Sequence, residues 1–184
     1  MDIRRIVTAR TTEGRSVAGR DGPSPCVSRA VHTPGFVSTP LWATAAAPGL
    51  EDQPREAATV PSLLPGPGET RFLVVTFPPD RVRDAPGFDP QRAGAEFVAI
   101  SPGLAETFEA DHPGVHTTPT VDYGIVLDGE IWLELDEETV HLRTHDTVVQ
   151  NGTRHAWRNK SDKPATVAFV LIGATTDRSA PASA

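Results

Sequence analysis

The sequence predicts an all-β protein, built as an antiparallel sandwich or barrel with additional N-terminal strands and one or two short helices. Three observations support this fold class. The 184 residues include 18 prolines and 15 glycines, and helix interiors reject both residue types. Short runs rich in β-branched and aromatic residues recur along the chain, most clearly in its C-terminal half. Turn residues separate these runs at intervals of roughly eight to twelve residues, as in sandwiches and barrels.

The N-terminal region is predicted to form short strands. Residues 3–9 and 15–18 can pair as a hairpin around the turn that contains Gly14, and residues 36–42 form a further strand. Residues 43–69 are rich in Ala, Pro and Gly and show no periodicity, which indicates a long loop. We therefore expect residues 1–94 to be strands and Pro/Gly-rich loops that pack on a barrel.

The middle of the chain contains one clear strand and one helix candidate. Residues 71–77 are apolar and rich in β-branched and aromatic residues, which favours a strand. Residues 101–110 are predicted to be helical, because Ser101 can cap the start, Pro102 suits the first helical position and acidic Glu106 follows.

From residue 95 to residue 173 the pattern is that of the barrel itself, and residues 174–184 are predicted to be a flexible tail. Residues 115–127 are predicted to form one extended strand that ends in a hairpin at Asp128-Gly129. A tight turn is predicted at Asn151-Gly152. The remaining strands are predicted at residues 131–135, 139–142, 147–150, 155–159 and 165–172.

Polar residues alternate along the predicted strand 115–127. Side chains two residues apart share one face of a strand, so His116, Thr118 and Asp122 lie on one face if no bulge intervenes. That face is either exposed to solvent or lines a polar pocket. A second motif favours the pocket, because the turn at residues 151–152 delivers His155 onto a new strand with Trp157 two residues later on the same face.

The first of these motifs resembles that of the cupin superfamily. The usual pattern there is His-x-His, three or four residues, Glu, six residues and Gly. This chain has His116-x-Thr118, three residues, Asp122, six residues and Gly129. Thr118 thus stands where the pattern has its second histidine, and Asp122 replaces the glutamate with a shorter side chain.

The second motif resembles the other cupin pattern, which is Gly, five residues, Pro-x-Gly, two residues, His, three residues and Asn. Here the same spacing joins Thr144, Gln150-x-Gly152, His155 and Asn159. The resemblance spans roughly residues 95–173 and implies a cupin-type β-barrel (jelly roll). The chain also resembles single-domain cupins of bacterial and fungal secondary metabolism.

The resemblance implies one divalent metal ion inside the barrel, held by His116, Asp122 and His155. Two imidazoles and a carboxylate suit Fe, Mn, Zn, Ni or Cu. The alternative is a metal-free polar pocket, in which Asp122 orients one histidine by a hydrogen bond and the pair acts as a general acid–base. In both cases these three residues are the candidate catalytic residues.

Four further residues are predicted to line a substrate pocket: Thr118, Trp157, Trp42 and Phe169. Trp157 has the same parity as His155 along its strand, although an ordinary core position is an equally open interpretation. Trp42 lies in a predicted N-terminal strand that can pack against the barrel, and Phe169 belongs to the last predicted strand.

The resemblance implies an enzyme that acts on a small oxygenated metabolite of aromatic or polyketide-like type. Oxygenase, decarboxylase, dehydratase and isomerase reactions all suit such a site, which makes the chain an oxidoreductase or a lyase. A metal-free lyase or isomerase, and a non-catalytic cupin that only binds a small molecule, remain open. The resemblance also implies a homodimer, formed through strands near the N-terminus.

Charge and composition exclude several other classes. The formal net charge is −7 and the isoelectric point is about 5.3, so phosphate backbones and anionic lipid surfaces are repelled. No stretch of roughly 18 apolar residues and no signal-peptide pattern is present. The single cysteine, Cys26, forms no internal disulfide. We expect a cytoplasmic protein that binds neither nucleic acid nor membrane.

Overall fold

The computed structural model describes residues 3–50 and 60–175, which form twelve strands, one α-helix and short 3₁₀ segments at Asp80–Asp84 and Ala105–Thr107. The helix, α1, spans Pro90–Ile100. The strands in chain order are β1 (Arg4–Arg10), β2 (Ser16–Pro23), β3 (Ser28–Arg29), β4 (Val37–Thr44), β5 (Thr70–Phe77), β6 (Val115–His116), β7 (Thr120–Asp128), β8 (Glu130–Glu134), β9 (Thr139–Arg143), β10 (Thr147–Asn151), β11 (His155–Arg158) and β12 (Ala165–Gly173).

Two antiparallel sheets enclose the core. One sheet has six strands in the order β10-β7-β12-β5-β4-β3, and the other has four in the order β6-β11-β8-β9. The core cluster between them draws on both sheets, for example Leu73 and Val167 from the first and Ile131 and Leu133 from the second. The predicted all-β antiparallel barrel of cupin type is thus confirmed.

The alternation of side chains along β8 shows why these segments become strands. Ile131 and Leu133 are buried at 0% and 4% exposure, whereas Glu130, Trp132 and Glu134 are only partly buried. A period of two places the apolar residues on one face. The predicted N-terminal hairpin is confirmed as well, since β1 and β2 pair as a separate two-stranded sheet.

The helix prediction for residues 101–110 is wrong. Ser101 is the C-terminal cap of α1, and its backbone N–H donates to the carbonyl of Phe97. The helix begins earlier, where the Asp89 carboxylate accepts hydrogen bonds from two backbone N–H groups and Pro90 occupies the first position. Gly103 has φ of +81°, which ends helical geometry there, so only the 3₁₀ segment Ala105–Thr107 follows.

The hairpin prediction at Asp128-Gly129 is also wrong. The strands on either side, β7 and β8, belong to different sheets, so the turn carries the chain from one sheet to the other. Gly129 has φ of +77°, and a Cβ atom there would lie 2.6 Å from the carbonyl oxygen of Pro164. The local turn signal is real, but the close approach of a distant segment decides which strands pair.

The predicted strand at residues 115–127 divides into β6 and β7, which lie in different sheets. Part of the predicted loop at residues 43–69 and most of the predicted tail fall outside the described residues, at positions 51–59 and 176–184. The proposed division after residue 94 stays a prediction, and α1 spans that position. Within residues 3–50 and 60–175, no helix has the length and apolar character needed to cross a membrane.

Candidate functional site

The three candidate catalytic residues line one cavity between the two sheets. His116 of β6 and His155 of β11 enter from the four-stranded sheet, and Asp122 of β7 enters from the six-stranded sheet. The expectation that His116 and Asp122 share one face of a single strand is therefore corrected. They meet because the inner faces of two sheets line the same cavity.

The two histidines form a direct pair. His116 and His155 stand opposite each other in the antiparallel ladder of β6 and β11, a position that brings cross-strand side chains into contact. Their ring centroids are 4.2 Å apart with an interplanar angle of 49°. Both side chains are buried, with exposures of 7% and 3%.

Backbone carbonyls orient both imidazoles. Nδ1 of His116 lies 3.2 Å from the carbonyl oxygen of Gly114, and Nδ1 of His155 lies 2.9 Å from that of Thr153. A carbonyl oxygen can only accept a hydrogen bond, so each Nδ1 carries the proton. The lone pair of a neutral imidazole then resides on Nε2.

The turn before His155 is held by a side chain that departs from the family pattern. Gln150 stands where the pattern has proline, and its amide donates to the Thr153 carbonyl at 3.0 Å. The Thr153 hydroxyl donates back to the Gln150 side-chain oxygen at 3.1 Å. Gly152 completes the turn with φ of +60°. This loop therefore fixes the carbonyl that orients the His155 ring.

Burial keeps both imidazoles neutral. It lowers the pKa of His116 to about 4, with a further contribution from the neighbouring His155. Burial also lowers the pKa of His155 below its ordinary value, although the hydrogen bond to Thr153 opposes this. At neutral pH the pair can therefore supply lone pairs at Nε2 but no positive charge.

Asp122 is a buried carboxyl group with an unused oxygen. Within the described part of the chain, its Oδ1 atom has no hydrogen-bond partner. Burial raises its pKa from 3.8 to about 6, while the neighbouring Thr120 hydroxyl works in the opposite direction. A buried polar atom without a partner is costly, so this oxygen is a candidate for contact with a ligand.

The cavity is encircled by eight aromatic and imidazole rings, in which each ring contacts the next. We call this set the aromatic belt. Phe108 stacks on His116 with centroids 4.2 Å apart and planes 11° from parallel. The members in order around the cavity are Phe36, Phe97, Phe108, His116, His155, Trp157, Phe169 and Phe77.

Sequence reasoning missed four members of the belt. Phe36 and Phe77 lie at strand ends, Phe97 lies on α1 and Phe108 follows a 3₁₀ segment. No strand periodicity connects these positions. Only their closeness to the histidines in the folded structure shows that they belong to the site. Their common aromatic character was the one signal available.

Of the four predicted pocket residues, Thr118, Trp157 and Phe169 line the cavity and Trp42 does not. The reason is a bulge in β4. Ser38 points inward opposite Val75, but the register shifts between Pro40 and Trp42, so Trp42 pairs with Phe72 on the outer face. There the guanidinium carbon of Arg5 lies 5.9 Å from the Trp42 ring centroid.

The Thr118 hydroxyl cannot replace the histidine of the family pattern as an equivalent metal ligand. It is buried and accepts a hydrogen bond from the Thr120 hydroxyl at 2.8 Å. Among residues 3–50 and 60–175, no three His, Cys, Asp or Glu side chains stand together as a group that could hold a metal ion. The donors fit in part, because two Nε2 atoms are available, whereas Asp122 lines the same cavity without forming a three-donor group with them.

The C-terminal part of the chain matches a family model. Residues 104–172 match the model described as "Cupin domain". The segment contains all three candidate catalytic residues and both motifs, and it leaves out β1 to β5 and α1.

Curated relatives come from fungal biosynthesis clusters. The chain is 54% identical over 48 residues to phomopsin biosynthesis cluster protein C' of Diaporthe leptostromiformis, covering 26% of this chain and 25% of the relative. It is 46% identical over 55 residues to oryzines biosynthesis cluster protein J of Aspergillus oryzae, covering 27% and 31%. The chain thus matches only a quarter to a third of the length of these relatives.

Solved structures include a Cupin 2 conserved barrel domain protein from Salinispora arenicola. It shares 13% identity with this chain, with 76% of each chain covered and a TM-score of 0.38.

Proposed function

Residues 104–172 form a cupin domain, and from this premise we propose that the chain is an enzyme that converts a small oxygenated metabolite of aromatic or polyketide-like type. One observation carries the proposal. Two neutral imidazoles and a carboxyl group with an unpartnered oxygen line one cavity whose other walls are mostly aromatic and aliphatic. Asp80, Arg83 and several hydroxyl side chains complete the lining. Small-molecule sites combine apolar walls and a few convergent polar groups in this way.

The relatives support a role in metabolite biosynthesis. Their names place them in clusters for phomopsin and oryzines biosynthesis, which fits secondary metabolism. The aromatic belt supports an aromatic substrate, because flat unsaturated rings pack well against aromatic edges and faces.

A divalent ion, Fe, Mn, Zn, Ni or Cu, would be held by Nε2 of His116 and His155. The Asp122 carboxylate lines the same cavity but does not group with them as a third donor, so it would have to move toward the ion to bind it. A bound ion would polarise a carbonyl or enolate oxygen of the substrate. The hydrogen bonds from Nδ1 to Gly114 and Thr153 serve this purpose, since they fix the tautomer and the ring orientation.

The chain's own residues supply the remaining steps. With a pKa of about 6, Asp122 can accept or donate a proton near neutral pH at Oδ1, as a general base or acid requires. The aromatic belt excludes water from the same space, which strengthens polar interactions inside it. Decarboxylase, dehydratase, isomerase and oxygenase reactions all use these elements.

A metal-free version is the second candidate, and a specific observation favours it. The described residues contain no ready group of three metal donors, and Asp122 already has the pKa of an acid–base residue. In this version the chain is a lyase or isomerase in which Asp122 transfers the proton and the imidazoles bind the substrate oxygen. A cupin that binds a metabolite without converting it is the third.

Elemental analysis of the full chain, purified without chelator or nickel resin, separates these versions. We expect one equivalent of metal in the wild type and none in His116→Ala or His155→Ala. His141→Ala is the matched control, because His141 stacks on Trp132 and bonds Glu130 away from the cavity. Metal in both cavity variants contradicts the ligand assignment, and absence of metal throughout favours the metal-free versions.

Turnover is tested with phenolic and β-diketone compounds, followed by mass spectrometry of the products. Conversion by the wild type and His141→Ala, but not by His155→Ala, is the expected result. Recovery of every bound compound unchanged would favour the binding module instead.

We also propose a homodimer. Support comes from a row of apolar residues that crosses the outer face of the six-stranded sheet: Val149, Tyr123, Val170, Phe72 and Trp42 stand opposite one another on successive strands. Val149 and Tyr123 are 60% and 49% exposed, and apolar patches of this kind mark association surfaces. Arg5 of the N-terminal hairpin lies over one end of the row.

A further inference from the structure

A second cavity adjoins the one that holds the histidines. The inner cavity has a volume of about 140 Å³, and the second, which we call the outer groove, has about 460 Å³. The outer groove lies between α1 and the segment that leads into β6. Phe36, Phe97 and Phe108 line both spaces, together with Thr33, Arg83 and Gly114. The three rings therefore form the aromatic part of a partition between the cavities, which we call the partition.

The volume of the inner cavity matches one aromatic ring. An apolar cavity of about 150 Å³ accommodates benzene, and the inner cavity is of that size. A two-ring molecule needs more space than this, and the partition stands where the second ring would extend into the outer groove.

Phe97 is the aromatic member of the partition that has no ring contact outside it. Its ring contacts Phe36 and Phe108, with centroids 5.8 Å and 5.0 Å away. Phe108 also stacks on His116, and Phe36 also packs against Phe77. Removing Phe108 would therefore disturb the histidine pair, whereas removing Phe97 leaves every ring contact of the histidines in place.

The helix that carries Phe97 has its own anchor. No residue of α1 is buried, and the Glu96 carboxylate accepts hydrogen bonds from the backbone N–H groups of Val31 and His32, both at 2.7 Å. The helix thus stays attached to the N-terminal loop when the Phe97 ring is shortened.

We propose that Phe97 sets the size limit of the ligand. The inner cavity binds an oxygenated molecule with one aromatic ring, its oxygen directed to the Nε2 atoms, and Phe97 keeps a second ring from entering the outer groove. This inference rests on the proposed function, in which the cavity takes an aromatic metabolite.

Binding of three probes to the full chain tests the proposal: phenol, 2-naphthol and cyclohexanol, each titrated by ligand-observed NMR. The variants are Phe97→Ala and Phe97→Leu, of which the leucine variant retains an apolar anchor on α1. Trp132→Ala is the matched control, because Trp132 stacks on His141 away from both cavities. Circular dichroism verifies that each variant is folded.

We expect the wild type and Trp132→Ala to bind phenol about tenfold more tightly than 2-naphthol or cyclohexanol. In Phe97→Ala the Kd of 2-naphthol should fall about tenfold while that of phenol does not improve, and Phe97→Leu should lie between the two. If Phe97→Ala does not fold, the leucine variant alone decides the sign of the change.

An unchanged ratio of the Kd values for phenol and 2-naphthol in the Phe97 variants overturns the size limit. A wild type that binds neither compound overturns it as well. Equal binding of cyclohexanol and phenol overturns the aromatic preference. A protein that shows the expected ratios but converts no compound refutes the proposed enzyme and leaves the size limit standing. Turnover of a compound together with an unchanged Kd ratio in the Phe97 variants refutes the size limit and leaves the proposed enzyme standing.

Discussion

The buried carboxyl group of Asp122 should lower the free energy of unfolding of the metal-free protein at alkaline pH. Asp122→Asn should restore that free energy. Its pKa rises from 3.8 to about 6 on folding because burial disfavours the charged form. At about 1.4 kcal/mol per pH unit, this rise corresponds to about 3 kcal/mol. Asparagine has a similar size and cannot ionise, so it removes the cost.

The sign follows from linkage. A group with a raised pKa contributes its full stability below pH 3.8, and that contribution is lost as the pH rises through about 6. In chelator-treated protein, Asp122→Asn should therefore exceed the wild type by about 3 kcal/mol at pH 8 and by about half of that at pH 5. For a chain of this length, 3 kcal/mol is about 6–12 °C in Tm.

Urea unfolding followed by circular dichroism at pH 5 and pH 8 measures this difference. Asp128→Asn is the matched control, because Asp128 ends the same strand as an exposed residue; its effect should be small and equal at both pH values. An Asp122→Asn variant that is no more stable than the wild type at pH 8, or whose advantage grows as the pH falls, would refute the reasoning.

Three further predictions concern acid stability, a glycine and assembly. Burial lowers the pKa of His116 to about 4, so the contribution of the neutral ring to stability is present above pH 6.5 and lost as the pH falls through 4. His116→Gln should therefore move the midpoint of acid unfolding to lower pH. A midpoint that stays the same or rises contradicts this. Gly129→Ala should lower the free energy of unfolding in urea by about 3 kcal/mol, because the new Cβ atom would lie 2.6 Å from the Pro164 carbonyl oxygen. The control Gly87→Ala, also at positive φ but in open space, should lower it by about 1 kcal/mol. Equal losses would show that the contact with Pro164 is unimportant. Tyr123→Lys should convert a dimer into a monomer in light scattering, and an unchanged mass would exclude the outer sheet face as the interface.

The candidate site shows how much of a functional site the local sequence can predict. The two motifs point to His116, Asp122 and His155 through their resemblance to the cupin pattern, whose spacing includes turns that the chain encodes locally, such as the Asn151-Gly152 turn before His155. The pairing of His116 with His155 was not readable in this way. It depends on β6 and β11 standing side by side, nearly forty positions apart in the chain.

The helix illustrates the competing influence of local signals. Ser101-Pro102 and Asp89-Pro90 both satisfy the rules for a helix start. The structure uses Asp89, and the positive φ of Gly103 excludes a helix after Ser101. The Pro102 carbonyl there accepts a hydrogen bond from the backbone N–H of Leu63 at 2.8 Å. The second of two equivalent local signals thus lies where the chain pairs with a distant segment.

By itself, the sequence determined the class of fold and the positions of most strands, since these depend on side-chain alternation and on turn residues close along the chain. The resemblance of its two motifs to the cupin pattern pointed to His116, Asp122 and His155, which line one cavity in the structure. Only the tertiary structure decided which sheet each strand joined, how the bulge in β4 turned Trp42 outward, and how Phe97 and Phe108 came to close the aromatic belt. Backbone pairing and ring packing join residues that are distant in the chain, and no local pattern records such contacts.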